Sequence, residues 1–344
     1  MKPMSSSPTA LYIHVPFCLK KCPYCDFHSS ELGNEVAKLN RYASQIADTI
    51  NAQSPRAIST IYFGGGTPSL LSAAQIQAIL SAAKAHFSVA PDAEISLEAN
   101  PETLVSTNTL EKLRGYRRAG VNRISLGVQS WDDARLKALG RIHSADASAT
   151  AYRHIRAAGF DNVNMDLMFA IPGQTLSEWD ATLKKTAEFE PEHISLYNLT
   201  DDHGTHPVLE DDAMDLAMYR LARKILKAHG YIHYEISNFA KSGRECRHNI
   251  TYWRNEDYIG IGEGAESSTT MDDPAMTVIL GLRLLREGIR RDRFHAQYGY
   301  AIGEKFGGAI EGLLKQKLIR VTPVRILLTS RGLEVANYVF ATLI

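Results

Sequence analysis

Short apolar runs alternate with longer amphipathic stretches over about the first two hundred residues. The short runs, bounded by turn residues, predict six strands at residues 11–15, 60–63, 94–98, 122–127, 162–169 and 193–197. The stretches between them predict helices at residues 35–52, 72–87, 104–119, 134–158 (broken near Gly140) and 175–188. Six βα units in series predict an α/β fold with a parallel sheet and right-handed crossovers. Because six units are fewer than eight, we expect a partial (β/α)6 TIM-like barrel.

The alternation stops near residue 201. A helix at residues 213–229, a strand at 231–237 and a stretch rich in glycine (Gly260, Gly262, Gly264) follow. The last seventy or so residues predict three helices, strands at 318–321 and 325–329, and a closing helix from Arg331. This order is typical of a mainly helical, winged-helix-like domain. We therefore expect a barrel at residues 1–200, a connecting α/β segment at 201–275 and a C-terminal domain at 276–344.

Composition and charge limit the classes of protein to which this chain can belong. Hydrophobic residues make up 44% and charged residues 22% of the chain, which excludes intrinsic disorder, collagen and disulfide-dense scaffolds. The 38 basic residues balance the 38 acidic ones, but residues 276–344 hold 11 Lys and Arg against 5 Asp and Glu. A basic winged-helix-like domain could bind nucleic acid. Because the patch is short and lacks interleaved aromatics, we expect no nucleic-acid partner.

The sequence also predicts a cellular location. It has no run of about 18 apolar residues, the minimum for a membrane-spanning helix. Residues 1–9 are polar and lack the apolar middle of a secretion signal. We therefore expect a cytoplasmic protein.

Three of the four cysteines lie within eight residues, directly after the first predicted strand. In a reducing compartment, such clustering favours metal binding over disulfides. Cys18, Cys22 and Cys25 could hold an iron–sulfur cluster that leaves one iron open to a small molecule. A zinc site completed by His28 and three inert thiols are the alternatives.

Polar or glycine residues follow successive predicted strands. Residues 64–68, three glycines followed by Thr67 and Pro68, come after the second strand. Glu98 ends the third strand, Gln129 follows the fourth, and Asp166 lies near the end of the fifth. In parallel barrels the carboxyl ends of the strands meet at one mouth, where ligands bind. The spacing therefore predicts a ligand site at that mouth.

Taken together, these motifs resemble the radical S-adenosylmethionine superfamily. Within it they resemble the branch that holds oxygen-independent coproporphyrinogen III oxidase and the heme chaperone HemW. The resemblance rests on residues 12–27, 64–68, 97–101, 127–130, 166–175 and 247–253, which occur in the family's order.

The resemblance implies two cofactors. Cys18, Cys22 and Cys25 match the ligands of a [4Fe-4S] cluster, whose open iron chelates the amino and carboxylate groups of S-adenosylmethionine. In the superfamily, one electron from the cluster cleaves this cofactor into methionine and a 5′-deoxyadenosyl radical. Glu98 and Asp166 match carboxylates that contact it through ribose hydroxyls. The other matching positions are Tyr12, Tyr24, Gly65, Gly66, Thr67, Gln129 and Arg141, of which Arg141 would pair with the methionyl carboxylate.

Two features favour the chaperone within this branch. The oxidase has a fourth cysteine two residues after the third, where this chain has Phe27. The oxidase also has a long N-terminal arm, whereas ten residues precede the first predicted strand here. We expect a protein that binds heme and passes it to respiratory, membrane-associated acceptors, with a homodimer as one working form. The alternative is the oxidase, which decarboxylates propionates in heme biosynthesis.

One further motif bears on heme. Residues 245–253 bring together Cys246, Arg247, His248, Tyr252 and Trp253. Thiolate and imidazole are ordinary axial ligands of heme iron, so heme contact by His248 or Cys246 is expected. The alternative is that the aromatics belong to the core and that His248 hydrogen-bonds a neighbour. The family tends to show a histidine at the position of Glu266 and a small residue or proline at that of Glu263, so this loop departs from it.

Overall fold

The computed structural model describes residues 9–200, 212–268 and 273–344. The strands in these ranges are β1 Thr9–Val15, β2 Phe17–Cys18, β3 Ser30–Glu31, β4 Ala57–Gly65, β5 Ser88–Ala99, β6 Arg123–Gln129, β7 Val163–Phe169, β8 His193–Asn198, β9 Ile232–His233, β10 Asn238–Ala240, β11 Tyr258–Ile261, β12 Ile289–Arg290, β13 Ile319–Val321 and β14 Arg325–Leu328. The helices are α1 Val36–Asn51, α2 Ala73–His86, α3 Thr109–Ala119, α4 Asp133–Ala138, α5 Ala145–Ala157, α6 Leu176–Glu188, α7 Asp212–Ala228, α8 Arg247–Trp253, α9 Pro274–Arg283, α10 Arg291–Tyr298, α11 Ile302–Lys315, α12 Ser330–Glu334 and α13 Ala336–Ala341. None of these helices is both long and apolar enough to cross a lipid bilayer.

Six parallel strands form the centre of a nine-stranded sheet. The sheet order is β11-β1-β4-β5-β6-β7-β8-β10-β9, and β1 with β4 to β8 pair in parallel. The predicted partial (β/α)6 barrel is therefore confirmed. The predicted break near Gly140 is confirmed too, because this residue has φ +71° between α4 and α5.

Both edges of the sheet differ from the sequence prediction. The stretch rich in glycine contains β11, which pairs in parallel with β1 and was not predicted. At the other edge, the predicted strand at residues 231–237 is interrupted after β9 by a turn. In that turn the Glu235 side chain accepts a hydrogen bond from the Ser237 N–H at 2.9 Å. The chain then returns as β10, antiparallel to β8.

Apolar and polar side chains alternate along the parallel strands, and this alternation explains the two faces of the barrel wall. One face of each strand is apolar and packs under the helices, as Leu11, Ile13 and Phe63 do in the main core. The other face lines the barrel interior and is polar. It carries Tyr12, His14, Thr60, Tyr62, Glu94, Ser96, Glu98, Arg123, Ser125, Asn164, Asp166, His193 and Ser195.

The C-terminal part has its own apolar core. Its helices surround a three-stranded sheet of order β12-β14-β13, whereas the sequence predicted two strands. The two-residue β12 escaped prediction because it is too short to show alternation. Tyr219 and Ile236, from before residue 275, also pack against this core. The domain boundaries at residues 200 and 275 stay predictions.

Candidate functional site

The three clustered cysteines lie on a loop that is fixed at both ends. The loop leaves β1 through β2, which pairs with β3 so that Cys18 lies opposite Glu31. The Leu32 N–H donates to the Cys18 carbonyl at 2.8 Å, and the Cys25 N–H donates to the Cys22 carbonyl at 3.1 Å. Cys18 and Cys22 are buried and Cys25 is half-buried. The strand pairing and the tight turn thus hold three thiols in one short segment.

The electrostatics of the cysteine loop indicate which kind of metal centre it can bind. Burial, reinforced by Cys18 and Cys22, raises the pKa of Cys25. Arg141 donates to the Cys22 sulfur at 3.5 Å and can offset thiolate charge there. In the described ranges, no three His, Cys, Asp or Glu side chains are gathered closely enough to hold a single metal ion. The donor set suits an iron–sulfur cluster, in which each cysteine binds a different iron.

The glycines after β4 bring two backbone segments into close contact. The Gly66 N–H donates to the Val15 carbonyl at 2.8 Å. A Cβ on Gly66 would lie 2.7 Å from the Phe17 carbonyl oxygen, and one on Gly65 would lie 2.5 Å from the His14 ring. Gly65 also has φ +110°, which side chains rarely allow. These glycines therefore let the end of β4 approach the start of the cysteine loop.

Two carboxylates lie in the mouth on neighbouring parts of the barrel wall. Glu98 accepts hydrogen bonds from the Tyr62 hydroxyl at 2.8 Å and from the Gly65 N–H at 3.1 Å. Desolvation, reinforced by Asp166, raises the pKa of Glu98 to about 7 despite these donors. Burial likewise raises the pKa of Asp166. Both groups are therefore acceptors whose charged form gains from additional hydrogen-bond donors.

Asp166 belongs to a network that sequence reasoning missed. It accepts hydrogen bonds from Ser125 at 3.0 Å and from the Asn164 amide at 2.8 Å. The Asn164 oxygen in turn contacts His193 Nδ1 at 2.6 Å and accepts from Ser195 at 3.1 Å. Polar residues occur at every second position of these strands, and this alternation is the sequence pattern from which the network could have been predicted.

Arg141 connects the cysteine loop to the strand ends. Besides Cys22, it donates to Asn100 Oδ1 at 2.8 Å and to the Gly127 carbonyl at 3.4 Å. Asn100 donates through its amide to the Thr67 hydroxyl at 3.0 Å. Asn100 was not singled out from the sequence, although it follows Glu98 by two residues.

The remaining predicted cofactor positions also border this mouth. The Tyr12 hydroxyl contacts His14 Nδ1 at 3.2 Å, and its ring stacks on Tyr62 at 6.2 Å between centroids. Burial raises the pKa of Tyr24, a rise that Arg141 opposes and the Cys22 thiol reinforces. Gln129 has φ +62° at a register shift between β6 and β7. The residues predicted for the cluster and the cofactor are thus arranged around one mouth.

Cys246 and His248 lie at the floor of the barrel instead. The Cys246 thiol donates to Glu94 at 3.5 Å, and burial raises its pKa to about 12. His248 contacts Thr60 through Nδ1 at 2.8 Å and Tyr252 through Nε2 at 2.7 Å. It is 1% exposed, and burial lowers its pKa to about 3. Heme contact by either residue stays a prediction, and this packing lends it no support, because both ring nitrogens already have partners.

Comparison with known proteins agrees with this geometry. The family model described as "Radical SAM superfamily" matches residues 12–186. The chain is 41% identical over 274 residues to the heme chaperone HemW of Escherichia coli (strain K12), which covers 77% of this chain and 71% of that protein. It belongs to the HemW family of the radical SAM superfamily. The HemW protein of Bacillus subtilis (strain 168) is 32% identical over 373 residues, covering 96% of this chain and 97% of that protein.

A solved structure shares the fold of this HemW-family chain. Coproporphyrinogen III oxidase (HemN) from Escherichia coli, a radical SAM enzyme, superposes with a TM-score of 0.79 over 98% of this chain and 90% of that one. The sequence identity is 20%, so this likeness shows the fold alone. Membership of the radical SAM superfamily implies a [4Fe-4S] cluster and S-adenosylmethionine as cofactors.

Proposed function

We propose that this chain is a heme chaperone that carries a [4Fe-4S] cluster, binds S-adenosylmethionine and passes heme to an acceptor protein. The observation that carries this proposal is the similarity to HemW proteins over most of their length, 97% of the Bacillus subtilis relative. The cysteine loop, held between β2 and β3, supports cluster binding by Cys18, Cys22 and Cys25.

The mouth supports the cofactor part of the proposal. Glu98 and Asp166 are hydrogen-bond acceptors in the mouth, and ribose hydroxyls are suitable donors to them. Arg141 would pair with the methionyl carboxylate, since its guanidinium already lies at the Cys22 sulfur. Tyr12, Tyr24, Gly65, Gly66, Thr67 and Gln129 would line the same site. When bound, the cluster would supply the single electron that cofactor cleavage requires.

The partners follow from the same proposal. A chaperone needs acceptors, and we propose respiratory, membrane-associated heme proteins, with the chain acting from the cytoplasm. A homodimer is one proposed working form.

The oxidase is the second candidate, because the chain shares the fold of coproporphyrinogen III oxidase along 98% of its length. Against it stands Phe27, which occupies the position of the oxidase's fourth cysteine in the family resemblance. Its side chain is 62% exposed and offers no ligand atom to a cluster.

A direct assay separates the two candidates. The protein would be reconstituted anaerobically with iron and sulfide, then incubated with S-adenosylmethionine, a reductant and coproporphyrinogen III. An authentic oxidase serves as the positive control. We expect no protoporphyrinogen IX from this chain, whereas its formation at the oxidase's rate would refute the chaperone assignment.

A further inference from the structure

The small sheet of the C-terminal part has two chemically different faces. The inner face is apolar and belongs to the core of this part, through Ile289, Ile319, Ile326 and Leu328. On the other face, the register places Arg290 of β12 directly opposite Arg325 of β14. It also places Arg320 of β13 opposite Leu327, which lies two residues after Arg325 and so points to the same side. Three arginines therefore share the outer face of this sheet.

Two more arginines border the outer face. Arg291 follows β12, where its N–H donates to the Val324 carbonyl at 3.0 Å and its guanidinium donates to the Thr322 carbonyl at 3.1 Å. The Arg325 guanidinium donates to the Arg286 carbonyl at 2.9 Å. These contacts hold the guanidinium groups of Arg291 and Arg325 in place without neutralising their charge. The arginine face consists of Arg286, Arg290, Arg291, Arg320 and Arg325.

Few carboxylates offset the charge of the arginine face. Residues 276–344 contain five Asp and Glu, of which Asp292 pairs with Arg290 at 2.5 Å. The other four are engaged elsewhere: Glu287 with Arg254 and Arg293, Glu304 with the Ala301 N–H, Glu311 with Lys315 and Glu334 with Arg220. Within the part of the chain that the structure describes, the remaining four arginines of the face have no carboxylate partner. Arg286 and Arg320 are also exposed to solvent.

The arrangement of the arginine face costs stability. Residues directly opposite each other in an antiparallel pair lie close together, and like charges at such positions destabilise the sheet. Arg290 and Arg325 form such a pair, and Asp292 compensates the charge of Arg290 alone. A ligand that brings carboxylates to this face would remove the repulsion. Positions that break a local rule of stability in this way are expected at functional sites.

The chemistry of the face favours a protein partner over nucleic acid or lipid. All five cations are arginines, whose planar guanidinium binds carboxylates through two hydrogen bonds and is enriched in protein interfaces. In a DNA-binding winged helix, α11 would enter the groove, but it exposes two carboxylates beside its two lysines, at Glu304, Lys305, Glu311 and Lys315. A lipid surface requires inserted apolar side chains. Of the exposed large hydrophobic residues, the β13–β14 hairpin contributes Val324.

We propose that the arginine face docks a carboxylate-rich surface of a partner protein, and that this partner is the heme acceptor. This inference rests on the proposed heme-chaperone function and names the surface through which the acceptor would be recognised. Complementary charges steer two proteins together, so they act mainly on the association rate and are screened by salt. Transfer of heme to an acidic acceptor should therefore depend on these arginines and on ionic strength.

Stopped-flow heme transfer from the reconstituted, heme-loaded full chain tests this surface. The acceptors are the acidic heme domain of a cytochrome b5 in its heme-free form, and apomyoglobin, which captures heme that has first dissociated. We expect transfer to the cytochrome domain to accelerate with its concentration. In the double variant Arg286→Glu with Arg320→Glu this rate constant should fall about tenfold at low salt, and the difference should vanish near about 0.5 M salt. Transfer to apomyoglobin should be equal in both proteins.

Two exposed arginines of the barrel helices provide the matched control. Arg114 and Arg153 lie on α3 and α5, and the double variant Arg114→Glu with Arg153→Glu makes the same change of charge. It should transfer heme at the wild-type rate, and far-UV circular dichroism checks that both double variants fold.

The outcomes separate this surface from the proposed function. A wild type that binds no heme would refute the heme-chaperone function and this inference with it. A wild type that binds heme and transfers it no faster than the Arg286→Glu, Arg320→Glu variant would refute the arginine face alone. Tighter binding of phosphatidylglycerol vesicles or duplex DNA than of the cytochrome domain, lost in the same variant, would also overturn it and assign the face to lipid or nucleic acid.

Discussion

At the scale of single residues, the two carboxylates of the mouth have donors supplied by the protein but retain acceptor capacity. Glu98 accepts hydrogen bonds from Tyr62 and Gly65, and Asp166 accepts them from Ser125 and Asn164, while each ionised carboxylate offers about four acceptor positions. Their raised pKa values show that the existing donors do not compensate fully for desolvation. Additional donors from a ligand would therefore be bound strongly.

Replacing either carboxylate should weaken cofactor binding. We expect Glu98→Ala or Asp166→Ala to cost about 1–3 kcal/mol in the binding of S-adenosylmethionine, the scale of a lost hydrogen bond to a charged group. Isothermal titration calorimetry of the reconstituted protein measures this. Glu311→Ala, which removes an exposed carboxylate from α11, serves as the control. Wild-type affinity in both mouth variants would show that these carboxylates are only structural.

The raised pKa of Glu98 also predicts a pH dependence of stability. The folded protein favours the neutral acid, because the pKa rises from its ordinary 4.5 to about 7. The neutral Glu98 carboxyl therefore contributes its full stabilisation to the folded state below about pH 4.5, and this contribution is lost as the pH rises through 7. Between about pH 5 and pH 8 this group should lower the free energy of unfolding by up to about 3 kcal/mol.

The comparison with Glu98→Gln isolates that effect. Denaturant unfolding of the cofactor-free protein at both pH values should show a smaller loss of stability at high pH in Glu98→Gln than in the wild type. The histidines contribute equally to both proteins and cancel in the difference. Identical pH profiles would mean that Glu98 titrates as an ordinary carboxyl.

At the scale of elements, the turn after β4 decides whether the cysteine loop is held. Gly66→Ala would place a methyl group against the Phe17 and Val15 backbone, which cannot rotate away. We expect a lower melting temperature and reduced iron content after reconstitution. Gly308→Ala provides the matched control, since a Cβ there meets no atom within 4 Å and alanine favours the helix. Equal iron content and melting temperature in Gly66→Ala and wild type would contradict this account of the turn.

The floor helix α8 gives a second prediction at this scale. His248→Ala removes contacts to Thr60 and Tyr252 and a ring stack on Tyr62 at 5.0 Å. We expect a loss of about 2–4 kcal/mol in the free energy of unfolding. A shifted Soret band with unchanged stability would instead support heme contact by His248.

How far the sequence could predict these elements depends on their local signals. Long periodic segments such as α2 and α6 were predicted to within a residue or two, because capping boxes at Ser72 and Thr175 define their starts. The edge strand β11 could not be predicted, since its glycines suppress strand propensity and only pairing with β1 makes it a strand. The floor position of His248 depends on contacts 188 residues apart in sequence, which no local pattern contains.

At the scale of the whole molecule, ion pairs join the basic residues 276–344 to the rest of the chain in both directions. Arg283 pairs with Glu235, which lies outside this segment, at 3.4 Å. Within the segment, Arg290 pairs with Asp292 and Arg293 with Glu287. Conversely, Glu334 and Glu287 of the segment pair with Arg220 and Arg254 outside it, so the ion pairs across the boundary leave the positive excess of the segment in place.

Loss of the iron–sulfur cluster should leave the fold of the whole molecule intact. The cysteines lie on a loop that precedes α1, while the main apolar core is formed by the sheet and its helices. We expect the triple replacement of Cys18, Cys22 and Cys25 by Ala to lose the iron and sulfide of the reconstituted protein. Far-UV circular dichroism should remain that of the wild type. Full iron content in the triple variant would place the cluster elsewhere.

The central claim is the proposed function, which requires that one chain hold the iron–sulfur cluster and heme at the same time. Equilibrium heme titration of the anaerobically reconstituted protein, with cluster iron and sulfide measured at each point, tests this most directly. The account predicts saturable binding of one heme per chain while iron and sulfide of the cluster stay constant. Absence of saturable binding, or heme uptake in proportion to cluster loss, would contradict it.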